Sequence, residues 1–397
     1  MLKIGVFGAW RGNSYIELFK DDEEIEIVAI CDKNIEKLSE CKNEIENAYF
    51  CSDFDGFLTE GIKRGMSAVF LANYFNEHAP YAVKCMRAGL NVVSECTAAS
   101  TLRECAELAE CVENTGCKYI LAENYPFSTE NLAMEKEISS GALGTLLYAE
   151  GEYNHSGNND ELRELTPGKY HWRAWMPRTY YITHALGPLM FMTKSMPKYV
   201  SARAVHSDLL YEIRDRRHNY DGAGMMFCEM DNGMIARFTG CTAMASDYSR
   251  YRVAGDRASV EWGGYIEDGK IRKFYFEHTK PADEEQISLI DAEKAVGDNA
   301  ENSGHGGGDY RIVQNIKDYF INGKEPYFDV YKATAMSATA ILAWRSCLNH
   351  GENFRIPDFR IKEERDSVRN DSLTPFPDEN GNGITLPCAL PFNDTEK

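Results

Sequence analysis

The chain has 397 residues, of which 43% are hydrophobic and 26% charged, and a net charge of −19. This length exceeds the ~250–300 residues at which a single core stops growing, so two domains are expected. The negative charge argues against nucleic acid and anionic membranes as partners. No apolar run approaches the ~20 residues of a membrane span, and the start at Met1 has no signal-peptide layout. The twelve cysteines lack a CxxC pair and are interpreted as reduced thiols of a cytoplasmic protein.

A glycine-containing turn follows the first predicted strand, residues 2–8. The turn consists of Gly8, Ala9, Trp10, Arg11 and Gly12 and leads into a helix. Backbone N–H groups at such a helix start can hold a pyrophosphate. The turn is one residue short of the G-x-G-x-x-G pattern, and Trp10 stands where a small residue is expected. We predict that Gly8, Trp10, Arg11 and Gly12 bind a dinucleotide.

A carboxylate ends the second predicted strand, Glu26–Cys31. Asp32 lies about 20 residues after Gly12, the spacing at which an acidic residue binds the ribose hydroxyls of NAD. A carboxylate there repels the 2′-phosphate of NADP, although Lys33 weakens this discrimination. The alternative is that Asp32 only caps a helix over Asn34–Glu40.

The alternation of strands and helices continues to residue 122. We predict strands Ser67–Ala72, Asn91–Ser94 and Tyr119–Ala122, and helices His78–Ala88 and Thr101–Thr115. This order predicts an α/β fold, a Rossmann doubly wound parallel sheet, over residues 1–125. Ligands of such sheets lie beyond the carboxyl ends of the strands. The polar residues predicted at those ends are Asn73, Glu95, Glu123 and Asn124.

After Tyr125 the pattern changes to that of an α+β domain, residues 126–359, with an open, mostly antiparallel sheet. The predicted strands are Leu146–Asn154, Lys198–His206, Gly224–Met230, Gly233–Cys241, Tyr251–Ala254 and Ser259–Trp262. The predicted helices are Thr129–Ser140, Asp309–Ile321 and Tyr331–Leu348. Asn158–Lys169 is a polar loop able to cover a site, and residues 360–397 are expected to form an arm or tail.

The stretch Thr179–Leu189 places a phenol, a hydroxyl and an imidazole at the start of an apolar run. On a helix, Tyr180 and His184 would share a face, and Tyr181 would lie three residues from His184. Either pair could bind one ligand. The alternative is that these side chains only fill the core.

These elements resemble the glucose–fructose oxidoreductase/inositol dehydrogenase (Gfo/Idh/MocA) family. The resemblance rests on the glycine turn, on Asp32, on Asn73 with His78, and on residues 89–95. It implies that NAD is bound by a set of residues from the glycine turn and the strand ends: Gly8, Trp10, Arg11, Gly12, Asp32, Asn73, His78, Glu95 and Asn124. Most members continue with Glu-Lys-Pro, in which the lysine assists the proton transfer that accompanies hydride transfer. This chain has Glu95-Cys96-Thr97 instead, so a routine alcohol dehydrogenase of this family is disfavoured.

One branch of that family also lacks the lysine, the NAD-dependent glycosidases typified by bacterial α-N-acetylgalactosaminidases. The similarity to this branch runs from about residue 89 to about residue 359, and its most specific element is Tyr-x-Thr-His-x-x-Gly-Pro at residues 181–188. The branch usually has proline where this chain has Ile182 and Thr97. The resemblance implies a sugar or glycoside substrate and a homodimer or homotetramer built on the open sheet.

The resemblance also implies a mechanism without the paired carboxylates of ordinary glycosidases. Transfer of hydride from C3 of the sugar to NAD+ acidifies the C2 proton. A base removes this proton, the C1 substituent is eliminated, water adds, and the hydride returns. The candidate base is Tyr181, with His184 as neighbouring acid/base. Because a phenol has an ordinary pKa near ~10, a cation such as Arg173 or Arg178 is needed nearby. The candidate substrate-binding residues are Glu150, Tyr153, His155, Arg173, His305 and Asp309.

Alternatives remain open at several of these positions. Glu150 and His155 could lie on a solvated strand edge, and Asp309 could be a helix cap. The histidines lack the close spacing of a known zinc motif, so we expect no metal. The alternative functions are an NAD(P)-dependent sugar dehydrogenase or ketoreductase and a non-catalytic sensor of NAD or sugar.

Overall fold

The computed structural model describes residues 1–156, 164, 166, 171–207, 221–241, 243, 248–264, 266–297, 300 and 304–378. The chain divides into two units. The first contains Met1–Asn124, Asn302–Ser337 and Asp358–Leu373, and the second contains Tyr125–Glu301, Ala338–Pro357 and Thr374–Lys397. Two stretches from the C-terminal half therefore fold with the N-terminal residues. Apart from Glu164 and Thr166, the predicted loop Asn158–Lys169 lies outside the described residues.

The first unit is built on a parallel sheet of six strands, which confirms the predicted doubly wound fold. The strand order is β3-β2-β1-β4-β5-β6, with the change of direction between β1 and β4. Apart from Lys3 and Glu26, the central strands consist of apolar residues, as expected of strands covered on both faces. The strands are β1 Leu2–Phe7, β2 Ile25–Cys31, β3 Tyr49–Cys51, β4 Ala68–Leu71, β5 Asn91–Ser94 and β6 Tyr119–Leu121.

Helices alternate with these strands, and three of them begin at side-chain caps, which are Asn34, Asp53 and Thr101. The capping box of α5 is the clearest example, because the Thr101 hydroxyl accepts from the Glu104 amide while the Glu104 carboxylate accepts from the Thr101 amide. The helices of the N-terminal part are α1 Ala9–Lys20, α2 Ile35–Glu44, α3 Phe54–Lys63, α4 His78–Arg87 and α5 Leu102–Thr115. Sequence reasoning missed β3 and α3, which together carry the chain from β2 to β4.

The second unit contains a sheet of nine strands, in which the pair β7 and β10 is parallel and the other described pairs are antiparallel. Its order is β14-β13-β12-β11-β7-β10-β9-β8-β15. This confirms the predicted open, mostly antiparallel sheet. The strands are β7 Leu146–Asn154, β8 Pro197–His206, β9 Asp221–Met230, β10 Ile235–Cys241, β11 Tyr248–Gly255, β12 Ala258–Trp262, β13 Lys270–Tyr275, β14 Ile287–Asp291 and β15 Phe354–Arg355. The last three were not predicted from the sequence.

The remaining helices divide between the units. In the second unit they are α6 Thr129–Ser139, α7 Thr183–Thr193, α8 Ala292–Val296 and most of α10 Val330–Leu348. In the first unit they are α9 Gly308–Phe320, the start of α10, and α11 Lys362–Val368. Helix α11 lies within the segment predicted to be an arm or tail, and buried Arg365 binds Glu113 of α5 at 2.6 Å. Residues 379–397 lie outside the described part of the chain.

The predicted helical face shared by Tyr180 and His184 is wrong. Helix α7 begins only at Thr183, and Tyr180 ends a short 3-10 turn, Arg178–Tyr180. Tyr180 is fully buried and packs edge-on against Trp344 and Phe376. It is therefore a core residue, and the break before Thr183 orients Tyr181 independently of the helix.

Three glycines let this turn and helix α7 lie close to the sheet. A Cβ at Gly151 of β7 would stand 2.2 Å from the Ala185 carbonyl oxygen. Gly224 and Gly240 are directly opposite each other on β9 and β10. A Cβ at Gly240 would lie 3.3 Å from the Tyr181 carbonyl oxygen. Because these three positions have no side chain, residues 178–185 can lie close to the sheet.

Replacement of Thr101 by alanine should lower the free energy of unfolding by about 1 kcal/mol, because the first turn of α5 loses its cap. Urea unfolding followed by circular dichroism measures this change. Thr59→Ala is the matched control, since Thr59 is exposed within α3 and alanine is the better helix former. Equal stability of the two variants would contradict a stabilising role for the cap.

Candidate active site

The glycine turn after β1 has the geometry of a nucleotide-binding turn. Gly8 adopts φ +102°, and a Cβ there would lie 2.3 Å from the carbonyl carbon of Ala72. A Cβ at Gly12 would lie 2.8 Å from Val6 Cγ1, so this glycine brings α1 against the strand. The bulk of Trp10 costs nothing here because 58% of the side chain is exposed. Helix α1 begins without a side-chain cap, as a helix start that binds a pyrophosphate should.

Asp32 lies at the end of β2 and contacts this turn. Its Oδ2 accepts from the Trp10 amide at 3.1 Å, and its Oδ1 accepts from the Asn34 amide at 2.8 Å. The cap of α2 is Asn34, whose side chain accepts from the Lys37 amide, so the alternative role of Asp32 as the helix cap is wrong. Gly8, Gly12 and Asp32 together fit NAD, with the pyrophosphate at the α1 start and the ribose at the carboxylate.

His78 and Asn73 connect the loops that follow β4 and β5. The buried imidazole lies 2.8 Å from the Thr97 carbonyl oxygen through Nδ1 and 3.3 Å from the Asn73 carbonyl oxygen through Nε2. Burial lowers the pKa of His78 to about 4, so the ring is neutral at pH 7. A neutral ring carries one N–H and can donate to one carbonyl oxygen at a time. The His78 ring therefore connects the loop that follows β4 with the loop that follows β5.

Cys96 occupies the position at which the resemblance leads us to expect a lysine. Its thiol donates to Oε2 of fully buried Glu123 at 2.9 Å. The preceding residue, Glu95, is paired through Oε1 with Arg11 at 2.6 Å. Two carboxylates, a thiol and a guanidinium therefore lie at one edge of the first unit. They come from the ends of β5 and β6 and from the glycine turn.

Asp309 is the centre of a buried network in the same unit. Its Oδ1 accepts from the Tyr15 hydroxyl at 3.1 Å and from Asn124 Nδ2 at 2.7 Å, and its Oδ2 lies 2.8 Å from His305 Nδ1. Burial by itself would raise the pKa of Asp309. The hydrogen bonds from His305 and Asn124 and the charge of Arg11 outweigh it and lower that pKa to about 2.

These contacts bear on the role of Asp309, for which a helix cap was the alternative to substrate binding. Helix α9 is capped by Gly307, and Asp309 lies in its first turn, so Asp309 is not the cap. Both of its oxygens are engaged by side chains of the first unit, which makes it an anchor for α9. Sequence reasoning missed Tyr15, although Tyr15 follows Arg11 by four residues and so shares its helical face.

Four rings form a second cluster, in the second unit. The His184 ring centroid lies 4.5 Å from that of Tyr125, 4.8 Å from that of Tyr153 and 5.5 Å from that of Tyr181. The Tyr153 and Tyr181 centroids are 5.9 Å apart. We call Tyr125, Tyr153, Tyr181 and His184 the aromatic cluster. Three of its members come from the predicted site residues, and Tyr125 was missed as a site residue.

Positive charge and a further imidazole lie beside the aromatic cluster. The Arg173 guanidinium stands 5.6 Å from the Tyr181 ring centroid, and the His155 centroid is 6.0 Å from that of Tyr153. Buried Arg178 also interacts electrostatically with Tyr181. The hydroxyl of buried Tyr251 donates to the His184 carbonyl oxygen, which fixes the start of α7 against β11.

The two faces of β7 separate Glu150 from this cluster. Tyr153 and Gly151 point to the face on which α7 packs, whereas Glu150 lies on the opposite face with Tyr148 and Arg237. Tyr148 donates to Glu150 at 2.7 Å. Glu150 and Tyr153 therefore cannot bind one sugar together, and the structure leaves Glu150 out of the aromatic cluster.

Among the described residues, three or more histidine, cysteine, aspartate or glutamate side chains nowhere gather closely enough to hold a metal ion. The same part of the chain contains no helix that is long and apolar enough to cross a membrane.

Comparison with known proteins identifies the family. Residues 2–123 match the model of the oxidoreductase family with an NAD-binding Rossmann fold, and residues 131–261 match the Gfo/Idh/MocA C-terminal domain. Residues 291–363 match the C-terminal domain of glycosyl hydrolase 109. The chain therefore belongs to the Gfo/Idh/MocA oxidoreductases, and its first unit carries their NAD-binding fold.

Curated relatives are similar over most of the chain. A glycosyl hydrolase family 109 protein of Shewanella sp. strain MR-7 is 26% identical over 90% of this chain and 85% of its own length. The α-N-acetylgalactosaminidase of Shewanella oneidensis is 25% identical with the same coverage of both chains. These similarities confirm the expected resemblance to the glycosidase branch.

Solved structures support the fold. An oxidoreductase from Agrobacterium radiobacter, solved with NAD+, L-tartaric acid and magnesium, has a TM-score of 0.71 at 15% identity, covering 89% of this chain and 98% of its own. A levoglucosan dehydrogenase in complex with NADH and L-sorbose has a TM-score of 0.72 at 15% identity, covering 91% and 100% of the two chains.

Replacement of Asp32 by asparagine should weaken NAD+ binding about tenfold, because charge-assisted hydrogen bonds to the ribose become neutral ones. The same change should narrow the preference for NAD+ over NADP+, since the 2′-phosphate no longer meets a carboxylate. Calorimetric titration with both cofactors measures this. Asp55→Asn, at an exposed position of α3, is the matched control and should leave both constants unchanged. An unaltered cofactor ratio in Asp32→Asn would refute the assigned contact.

The ionised form of Asp309 should stabilise the first unit above pH 4. The folded-state pKa, about 2, lies below the ordinary value of 3.8, so this contribution is present above pH 4 and is lost as pH falls towards 2. It amounts to about 2 kcal/mol. Acid unfolding of wild type and Asp309→Asn measures it. The stability gap between them should be constant from pH 7 to 4 and should close below pH 4; a gap that persists to pH 2 would contradict the assignment.

Proposed function

We propose that the protein is an NAD-dependent glycoside hydrolase. In this proposal the sugar is oxidised transiently at C3, loses its C1 substituent by elimination, and is hydrated and reduced again. The similarity to an enzyme named α-N-acetylgalactosaminidase supports a glycoside as the substrate. The match of residues 291–363 to the glycosyl hydrolase 109 C-terminal domain supports the same choice.

The observation that carries the proposal is the thiol at position 96. Most members of the family have a lysine there, whose ammonium assists proton transfer at the oxidised carbon. Here the thiol of Cys96 donates to the buried carboxylate of Glu123. A thiol so placed supplies no positive charge to a developing alkoxide, so net alcohol oxidation loses its usual acid/base group at this position.

The base that removes the C2 proton is assigned to Tyr181. Burial and the neighbouring phenols of Tyr181 and Tyr125 raise the pKa of Tyr153, so Tyr153 remains a neutral hydrogen-bond donor. Tyr181 is less buried than Tyr153 and has the Arg173 guanidinium over its ring. Tyr181 Oη is therefore the better acceptor for the proton.

His184 is assigned the second proton transfer. Its ring contacts both Tyr153 and Tyr181, and its backbone is held by Tyr251. An imidazole can take the proton of a sugar hydroxyl and return it near neutral pH. When bound, NAD supplies the hydride acceptor and donor. Tyr153, as a neutral donor, can hydrogen-bond the oxygen on which negative charge develops.

The decisive experiment incubates the protein with substoichiometric NAD+ and a panel of α- and β-nitrophenyl glycosides in deuterium oxide. Nitrophenol, NADH and deuterium at C2 are followed together. We expect many turnovers of nitrophenol per NAD+, no lasting NADH, and deuterium at C2. NADH accumulating from free sugars without nitrophenol release would instead make the protein a dehydrogenase.

In the same assay, Tyr181→Phe should lower kcat about a hundredfold or more, because the C2 proton loses its base, with KM little changed. Tyr199→Phe, at a partly exposed tyrosine of β8, is the matched control and should retain activity. Cofactor and sugar binding without turnover in wild type, with no change in either binding constant in Tyr181→Phe, would favour a non-catalytic sensor.

A further inference from the structure

Two cysteines face each other across neighbouring strands of the first unit. Cys31 ends β2 and Cys51 ends β3, and the two residues are direct partners in the parallel ladder. Neighbouring strands lie about 4.8 Å apart, within the range of about 4.4–6.8 Å between Cα atoms that a disulfide requires. Both residues are free thiols in the structure. This register makes them a candidate dithiol that no CxxC spacing reveals.

The surroundings of the two thiols differ in a way that assigns their roles. Cys31 is 1% exposed, whereas Cys51 is partly exposed and within reach of a small oxidant. The Cys51 thiol donates to the Asp53 carbonyl oxygen at 3.3 Å. Interaction with Cys51 and burial raise the pKa of the Cys31 thiol. Cys51 is therefore the thiol that reacts first, and Cys31 the one that resolves.

The backbones of the same two cysteines hold residues of the nucleotide site. The Gly8 amide donates to the Cys31 carbonyl oxygen at 2.8 Å. The Asp32 amide donates to the Cys51 carbonyl oxygen at 3.2 Å. The glycine turn and the ribose-binding carboxylate are thus each attached by one hydrogen bond to the pair.

We propose that Cys31 and Cys51 are an oxidisable dithiol whose disulfide weakens NAD binding. The oxidant is a hydroperoxide. The Cys51 thiolate attacks one oxygen of hydrogen peroxide, the O–O bond breaks, and the leaving hydroxide takes the proton that the Cys51 thiol released, so sulfenic acid and water form. The Cys31 sulfur then attacks the Cys51 sulfur, the S–S bond forms as the S–O bond breaks, and the leaving hydroxide takes the Cys31 proton as water. Two thiols and one hydrogen peroxide thus give one disulfide and two waters.

The effect on the cofactor follows from the place at which the new bond forms. Forming the bond reorients both cysteine side chains and removes the hydrogen bond from the Cys51 thiol to the Asp53 carbonyl oxygen, which perturbs the ends of β2 and β3. Asp32 follows Cys31 directly and is bonded to Cys51, so its carboxylate moves with them. Since hydrogen bonds require heavy-atom distances of about 2.7–3.2 Å, a small displacement is enough to lose the ribose contact.

Peptide mapping of the full chain tests the chemical step without any activity assay. After treatment with hydrogen peroxide and alkylation, mass spectrometry should find the peptides of Cys31 and Cys51 joined, and dithiothreitol should separate them. Cys117→Ser is the matched control, since Cys117 is also a partly exposed thiol of the first unit and should leave the crosslink intact. Absence of the crosslinked peptide, or a Cys51 found only as sulfinic acid, would overturn the proposal.

Calorimetric titration with NAD+ tests the consequence. The oxidised wild type should bind NAD+ about tenfold more weakly than the reduced protein, the loss expected for one charge-assisted hydrogen bond, and dithiothreitol should restore binding. Peroxide-treated Cys51→Ser should keep the affinity of its untreated form. Because oxidised and reduced wild type are compared directly, the result does not depend on how well the variant folds. An unchanged affinity in mapped, fully crosslinked protein would refute the regulatory effect, and neither measurement depends on glycoside hydrolysis.

Discussion

The buried carboxylate of Asp309 joins parts of the first unit that are distant in the sequence. A charge taken out of water is tolerated only where hydrogen bonds replace hydration. Here Tyr15 of α1, Asn124 after β6 and His305 before α9 supply them. The start of α9 is held against the end of β6 so closely that a Cβ on Gly308 would lie 2.5 Å from the Asn124 carbonyl oxygen. The strand ends that carry Glu95, Cys96 and Glu123 belong to the same edge, so the candidate chemistry of this unit depends on that anchor.

The second unit places the polar side chain of Tyr181 on the face of the sheet that carries Gly151 and Tyr153. Glycine at 151, 224 and 240 removes the side chains that would hold residues 178–185 away from the strands. The backbone of Tyr181 can then approach β10 while its ring meets Tyr153 and His184. Because these contacts are made by backbone atoms and rigid rings, the geometry of the aromatic cluster is set by packing.

Charge distribution distinguishes the two groups of candidate residues. In the first unit the buried carboxylates of Glu95 and Asp309 are matched by Arg11 and by hydrogen bonds, and Cys96 adds a thiol that donates to Glu123. In the second unit Arg173 and Arg178 place positive charge beside a phenol. The first arrangement suits the binding of a dinucleotide, and the second places a guanidinium beside the ring of the proposed base. This division supports a redox-neutral use of NAD more than net alcohol oxidation.

The sequence by itself determined the elements whose signal is local. Continuous apolar strands, the glycine turn and the spacing to Asp32 predict a dinucleotide fold, and Tyr-x-Thr-His-x-x-Gly-Pro indicates the branch of the family. Only the tertiary structure decided which residues share a site, because this depends on strand register and on which face of β7 each side chain occupies. It separated Glu150 from Tyr153, buried Tyr180 in the core, and brought Tyr125 to His184. The structure also places His305 and Asp309 in the first unit and pairs Cys31 with Cys51. The sequence could not predict these contacts, because contacts between distant residues leave no periodic pattern in it.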